Sequence, residues 1–261
     1  MIASRRANAY VVVMLLVGAS VLLPSSAIAV TGGGGIGLPA GTTSTNNAPV
    51  STISTLGIVQ PGNGTVTANG NGISIASRQS AILRQQLRFT GTAPATAASQ
   101  VIEIQRRGRE TGGSWANTAH ARTGSSGSYT IVWHTNHIGR FQFRAVIGAA
   151  TAVRAAAASP SVTAIVYRQS IATWYGSALY GRSTACGDTL GPTTLGVANR
   201  TLPCGTMVSL YYQGRTIVVP VIDRGPYANH ADWDLTEATA TKLGTLQVGI
   251  ATIGAVSLPG A

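Results

Sequence analysis

Acidic residues are scarce in this chain. Seven Asp and Glu stand against eighteen Lys and Arg among 261 residues, which leaves a formal net charge of +11 with only 10% of residues charged. Long apolar runs are also missing. The best candidate, "YVVVMLLVGASVLL" at residues 10–23, falls short of the roughly 20 apolar residues a membrane-spanning helix needs. It follows Arg5 and Arg6 and precedes Ala27-Ile28-Ala29, the layout of a secretory signal cleaved after Ala29. An uncleaved membrane anchor is the other reading of residues 1–29, and the short run disfavours it. No cysteine follows the cleavage point, so no lipid anchor is implied, and the mature protein is expected outside the cytoplasm without a membrane span. Residues 30–72 hold no charge at all and are rich in Gly, Ser, Thr and Asn. Such a segment cannot bury enough apolar surface to offset its ordering entropy, so it reads as a flexible spacer. "GTVTANGNGIS" near its end is a possible start of the next domain.

Cysteine is nearly absent too, with only Cys186 and Cys204. An even count in an exported chain suggests a disulfide, which would stabilise the fold by about 3 kcal/mol in the chain-entropy picture. Two free thiols or a reactive nucleophile are the alternatives, and an extracytoplasmic setting disfavours both. Metal chemistry finds too few ligands. His134 and His137 in "HTNH" are two, and no nearby Cys or carboxylate completes a site. No metal or cofactor is expected, and the glycines of "TGGGGIG" lack the strand and helix that would make a phosphate loop.

What is present is β pattern. Across residues 73–168 the apolar period is two. Tyr129, Ile131 and Trp133 share a face, as do Phe141, Phe143, Ala145 and Ile147, with Arg140, Gln142 and Arg144 opposite. Short alternating runs separated by turn signals predict a β-sandwich that resembles the immunoglobulin-like modules of secreted bacterial proteins. Residues 169–261 read as a second β-rich domain. It has a hairpin turning at Gln213-Gly214, a strand interrupted by Pro220, and a closing strand in "GIATIGAVSL". Its one short helix, "LTEATATKLG", is capped by Thr236 and ended by Gly244.

Charge divides along the same line. Residues 73–168 hold eleven Arg and two Glu, whereas residues 169–261 balance five basic against five acidic side chains. The basic module should be drawn to a polyanion, and for an exported protein that means teichoic or other wall polymers rather than nucleic acid. A solvated basic surface without a specific partner is the plainer reading.

The scarce acid is crowded into one place, "VIDRGPYANHADWDL", where Asp223, Asp232 and Asp234 flank an Arg-Gly-Pro turn. Together with "ATWYGSALYGRSTACGD", "LGVANRTLPCGTMV" and "WDLTEATATKLG", this stretch resembles the double-psi β-barrel of rare lipoprotein A (RlpA), a family of lytic transglycosylases, and more distantly the first domain of expansins. The resemblance covers the final third of the chain. It implies a mainly β protein, an N-terminal sandwich followed by a six-stranded barrel, exported to the cell wall and acting on peptidoglycan. There it would cleave between N-acetylmuramic acid and N-acetylglucosamine and leave 1,6-anhydro ends.

Such chemistry needs a carboxylic acid kept protonated by burial or by a neighbouring carboxylate. The resemblance points to Asp223 as acid/base with Asp234 raising its pKa. Asp188, Asn199, Thr173, Tyr175, Arg224 and Tyr227 would bind or orient the glycan, Trp174 would lie near the groove, and a Cys186–Cys204 bridge would brace the groove wall. The residues alone leave a structural reading open, with Asp223 held by turn N–H groups, Asp234 helping to cap the helix, Arg224 pairing with either, and Asp232 solvated. Two positions depart from the family pattern: Asp188 stands where Glu is usual, and Asn199 where "AHKTLP" carries His. Asn cannot shuttle a proton at neutral pH, which favours the rival expectation of a non-catalytic, expansin-like wall binder. A structural or protein-binding barrel is the third.

Overall fold

The structure is a computed structural model that describes residues 56–148, 157–228 and 230–258. The expected leader, and the spacer as far as residue 55, lie outside the described residues. Among the described residues no helix is long and apolar enough to cross a membrane.

The chain is mainly β. Its first half holds β1 (Gln60–Pro61), β2 (Thr65–Gly70), β3 (Ile73–Arg78), β4 (Ser80–Ile82), β5 (Gln86–Thr92), β6 (Val101–Arg107), β7 (Ala116–Arg122), β8 (Ser128–His134) and β9 (Gly139–Ile147). The second half holds β10 (Val162–Tyr175), β11 (Val197–Ala198), β12 (Met207–Tyr212), β13 (Arg215–Asp223), β14 (Trp233–Thr236), the helix α1 (Glu237–Leu243) and β15 (Ala251–Ser257).

In the first half, strands β2-β3-β5-β8 form one sheet, and β7-β6-β9 run into the first part of β10 in a second. The apolar alternation read from the sequence faces inward. Tyr129, Ile131, Trp133, Phe141, Phe143 and Ala145 are all buried in a single core fed by both sheets. Phe89, Trp133, Phe141 and Phe143 make its centre, with ring centroids 4.9–6.0 Å apart in tilted or edge-on pairs. Aromatic pairs prefer such tilted geometry because the ring edge is positive and the face negative.

The second half closes on itself. In the order β14-β11-β13-β12-β15-β10 each strand bonds the next, and β10 returns to β14 to seal a six-stranded barrel. The barrel is filled from alternate positions, including Ile217, Val219 and Val221 of β13, Val208 and Leu210 of β12, and Trp233 and Leu235 of β14. The β12–β13 hairpin turns where expected. Gln213 and Gly214 both have positive φ (43° and 84°), the conformation a two-residue turn needs to match strand twist. Pro220 falls between Thr216, where β1 pairs with β13, and Val221, where β11 begins to pair. It therefore sits where neither of those neighbours claims an N–H. The Thr236 hydroxyl accepts the Thr239 N–H to cap α1, and Gly244 ends the helix in the left-handed conformation.

Two observations redraw the boundaries expected from sequence. The spacer was expected to run to residue 72, with "GTVTANGNGIS" as a possible start of the next domain, and residues 60–61 and 65–70 are strand. β1 lies on barrel strand β13, and β2 pairs with β3 along its whole length. A neutral Thr/Asn-rich segment cannot form a core by itself, but it can add an edge strand that borrows a partner's backbone and buries Ala68. The boundary near residue 168 falls inside one strand. β10 pairs with β9 and β4 through residues 162–167, then with β15 and β14 through residues 168–175. A strand shared between two sheets leaves no linker at the junction.

Candidate active site

Three strands of the barrel assemble the acidic cluster. Ala198 of β11 faces Asp223 of β13 on one side and Asp234 of β14 on the other. Two strand spacings therefore separate the two α-carbons, on the order of 10 Å, with carboxyl side chains that can lean together. A register slip creates this alignment. Val197 faces Val221, but Ala198 faces Asp223, so Ile222 is skipped. Without the slip Asp223 would continue the inward row of Ile217, Val219 and Val221. With it, Asp223 turns out to the side shared with Asp234, a re-aiming that strand irregularities commonly provide beside active sites.

The two carboxylates have different surroundings. Oδ1 of Asp223 accepts the backbone N–H groups of Ala185 (2.9 Å) and Arg224 (2.8 Å). Asp234 is half-buried, and its Oδ1 accepts the hydroxyl of Thr173 (2.7 Å), its register partner on β10. Burial pushes the Asp234 carboxyl above its ordinary pKa. The Thr173 hydrogen bond opposes the shift, and the charge of Asp223 adds to it. The upward shift therefore falls on Asp234, with Asp223 contributing to it.

Tyr175 completes the cluster. It lies two residues beyond Thr173 on the same side of β10. Its hydroxyl is buried and has no hydrogen-bond partner. Its pKa is raised, first by burial and then by the charges of Asp223, Asp234 and Asp188. A buried hydroxyl with no well-formed hydrogen bond is uncommon, and this one interacts with the Asp223 carboxylate beside it. Strand alternation points Trp174 to the other side of β10.

The remaining expected residues divide. Asp188 is exposed, its backbone N–H taken by the Thr184 hydroxyl at 3.1 Å. Tyr227 is 80% exposed beyond the turn. Arg224 pairs with no carboxylate; its guanidinium donates to the carbonyls of Asn199 and Asp223 and to Sγ of Cys204. Among the described residues the one ion pair is Arg106–Glu110, far from this cluster in sequence, so the barrel's aspartates are uncompensated by Arg or Lys. Asn199 is more committed than expected. Its Oδ1 accepts the N–H groups of Thr201 (3.1 Å) and Leu202 (2.9 Å), and its Nδ2 donates to the Asp232 carbonyl (3.4 Å). It shapes the loop with its side-chain oxygen and offers no free acceptor. Asp232, read as solvated, is exposed, and it also accepts the Ile171 N–H at 2.9 Å, which fastens the loop to β10.

Cys186 and Cys204 form a disulfide with α-carbons 5.7 Å apart. The bridge holds the Ala185–Cys186 backbone against β13, where the Cys186 N–H also reaches the Ile222 carbonyl at 3.2 Å. Arg200 was not singled out from sequence. It donates to the carbonyls of Pro226 (2.7 Å) and Ala231 (3.0 Å) and pins both ends of the loop between Asp223 and Asp234. Its place in "ANRTLP" was visible, but the carbonyls it reaches belong to a loop some 30 residues away. Glu237 likewise anchors the loop after β10 through the Tyr180 hydroxyl and the Ser177 N–H. Clefts of about 290 and 310 Å³ occur elsewhere in the molecule, and none of the aspartates lines either one. The exposure of Asp188 and Tyr227 makes the acidic cluster an open rim.

Residues 168–255 match the family model described as lytic transglycolase. A probable endolytic peptidoglycan transglycosylase RlpA of Aquifex aeolicus is 38% identical over 86 residues, 32% of this chain and 38% of that protein. The endolytic peptidoglycan transglycosylase RlpA of Campylobacter jejuni is 33% identical over 85 residues, 32% of this chain and 31% of its own. Among solved structures, a Streptomyces papain inhibitor is 30% identical over 35% of this chain and 93% of that one, with a TM-score of 0.30. The chain therefore spans about a third of the length of the curated relatives it matches.

Proposed function

Because residues 168–255 belong to the RlpA-like double-psi β-barrel family, we propose that this protein is an exported, wall-associated lytic transglycosylase acting on peptidoglycan glycan strands. The observation that carries the reading is the pairing of Asp234, whose pKa burial raises, with Asp223 across Ala198. Glycosidic cleavage needs one group that can give a proton and another that can take one.

In this reading Asp234 gives its proton to the glycosidic oxygen as the bond from C1 of the muramic acid to that oxygen breaks. The C6 hydroxyl oxygen of the same sugar closes on C1, and its proton passes to Asp223. No water is consumed, and the product carries a 1,6-anhydro ring. Proton exchange between the aspartates resets the pair. Thr173 holds Asp234 in place, and the Tyr175 hydroxyl meets the glycan. The N-terminal module, an immunoglobulin-like sandwich in this reading, holds the enzyme on anionic wall polymer through its arginines.

Incubation with purified peptidoglycan, including strands stripped of stem peptides, tests this by mass spectrometry. Anhydro products from the wild type that vanish in Asp234→Asn and in Asp223→Asn are expected. Glycan pull-down without products would instead establish a non-catalytic wall binder. That second reading is favoured by one observation: Asn199 stands at the family's His position with its side-chain oxygen already committed.

A further inference from the structure

Away from the barrel, the outer side of β6 and β9 carries a second worked arrangement. The register sets Arg107 opposite Gln142, and Gln105 opposite Arg144. Each arginine is held by a glutamine. Arg107 donates Nε to Gln142 Oε1 at 3.0 Å and adds a second bond from Nη2 to the same oxygen. Arg144 donates Nε to Gln105 Oε1 at 3.0 Å, and Gln105 is itself fixed by Asn117 Oδ1. Both guanidinium groups lie over the ring of Trp115, at 4.9 Å for Arg107 and 4.3 Å for Arg144. The result is two cations locked in orientation, with most of their N–H donors unspent.

Neither has an anion. Among the described residues the one ion pair is Arg106–Glu110. Burial, and then the repulsion of Arg107, pull the Arg144 guanidinium below its ordinary pKa. A phosphate seated between them would relieve that repulsion and accept the planar forks of both groups, a match an ammonium cannot make.

Resting on the reading of this module as the part that binds wall polymer, we propose that Arg107, Trp115 and Arg144 form an anion-binding platform whose occupant is a phosphodiester polymer of the cell envelope. Nucleic acid fits less well. Single strands bind such surfaces by stacking bases on aromatic rings, and the Trp115 ring already carries two guanidinium groups.

The test uses the mature chain with poly(glycerol phosphate) as probe and single-stranded DNA of matched charge as comparison, with binding followed by titration calorimetry. Arg107→Gln/Arg144→Gln should weaken polymer binding by about tenfold or more, and Arg107→Lys/Arg144→Lys nearly as much, because lysine keeps the charge and loses the fork. Arg78→Gln/Arg88→Gln removes the same charge from the other sheet and should cost less than about threefold. Should the glutamine pair fail to fold by circular dichroism, the single Arg144→Lys variant carries the test, with a loss of several-fold expected. Equal losses in the two glutamine pairs, or full binding by the lysine pair, would overturn the platform while leaving the module a polyanion binder. Wild type that binds DNA in preference to the polymer would overturn the occupant. Wild type that binds neither would overturn both the platform and the wall-polymer reading. Release of anhydro products from soluble glycan strands should be unchanged in every arginine variant, so the fate of the barrel chemistry is read separately.

Discussion

Arg107 and Arg144 lie over one indole ring in the N-terminal module; Asp223 and Asp234 lie on either side of one alanine in the barrel. Each module thus holds a pair of like charges with no opposite charge to settle it. The pairs differ in how the repulsion can be relieved. A guanidinium does not give up its proton near neutral pH, so the arginine pair leans on a π face and on glutamine oxygens and stays cationic. A carboxylate can take up a proton, and burial raises the pKa of Asp234 in that direction. On the reading proposed above, the same electrostatic problem gives a binding surface in one module and proton chemistry in the other.

The sharpest way to break this comparison is to remove the titratable oxygen. Asp234→Asn keeps the shape and an acceptor for Thr173, and should lower anhydro-product formation by about a hundredfold to ten-thousandfold in a mass-spectrometric time course. Retention of full activity would end the proton-donor role. Next in size is the question of whether the two pairs belong to one cooperative body. Phe143→Ala hollows the N-terminal core and should cost about 3–5 kcal/mol. Because β10 serves both modules, calorimetry should show a single transition moved downward as a whole; a barrel that melts unshifted would separate the modules. Replacing Cys186 and Cys204 together by Ser should cost about 3 kcal/mol in denaturant titration. It should also reduce activity further than stability explains, since Ala185 would no longer be held against Asp223.

The smallest effect concerns pH. A carboxyl raised in the folded state favours folding while it is protonated, and that benefit is lost as pH rises above the ordinary carboxyl value of 3.8. Asp234→Asn, which cannot ionise, should therefore melt above the wild type at pH 7, with the gap closing as pH falls toward 4. A gap that widened on acidification would show Asp234 to be stabilised as an anion.

Much of the fold was legible because it depends on local pattern. Period-two alternation placed Tyr129, Ile131, Trp133 and Phe141 in a core, and Thr236 and Gly244 bounded the helix by capping chemistry. The motif residues around Asp223 and Asp234 were legible as a group. Their surroundings were not, because these depend on a register slip between β11 and β13 and on the reach of Thr173. Nothing in "ANRTLP" shows that Asn199 will spend its oxygen on Thr201 and Leu202, or that Arg200 will clasp Pro226 and Ala231. The end of the spacer was legible only in "GTVTANGNGIS", where β2 lies, and not as far back as β1. A strand that borrows its partners, as β1 does from β13, carries little apolar signal of its own.

β10 runs 14 residues without a break, about 46 Å of extended backbone, from Val162 beside the sheet that carries Arg144 to Tyr175 beside the aspartates. Two tools mounted on one rod cannot swing independently. On the proposed reading, whatever grips one end sets the radius at which the other can work, a caliper of fixed opening instead of a lure on a line.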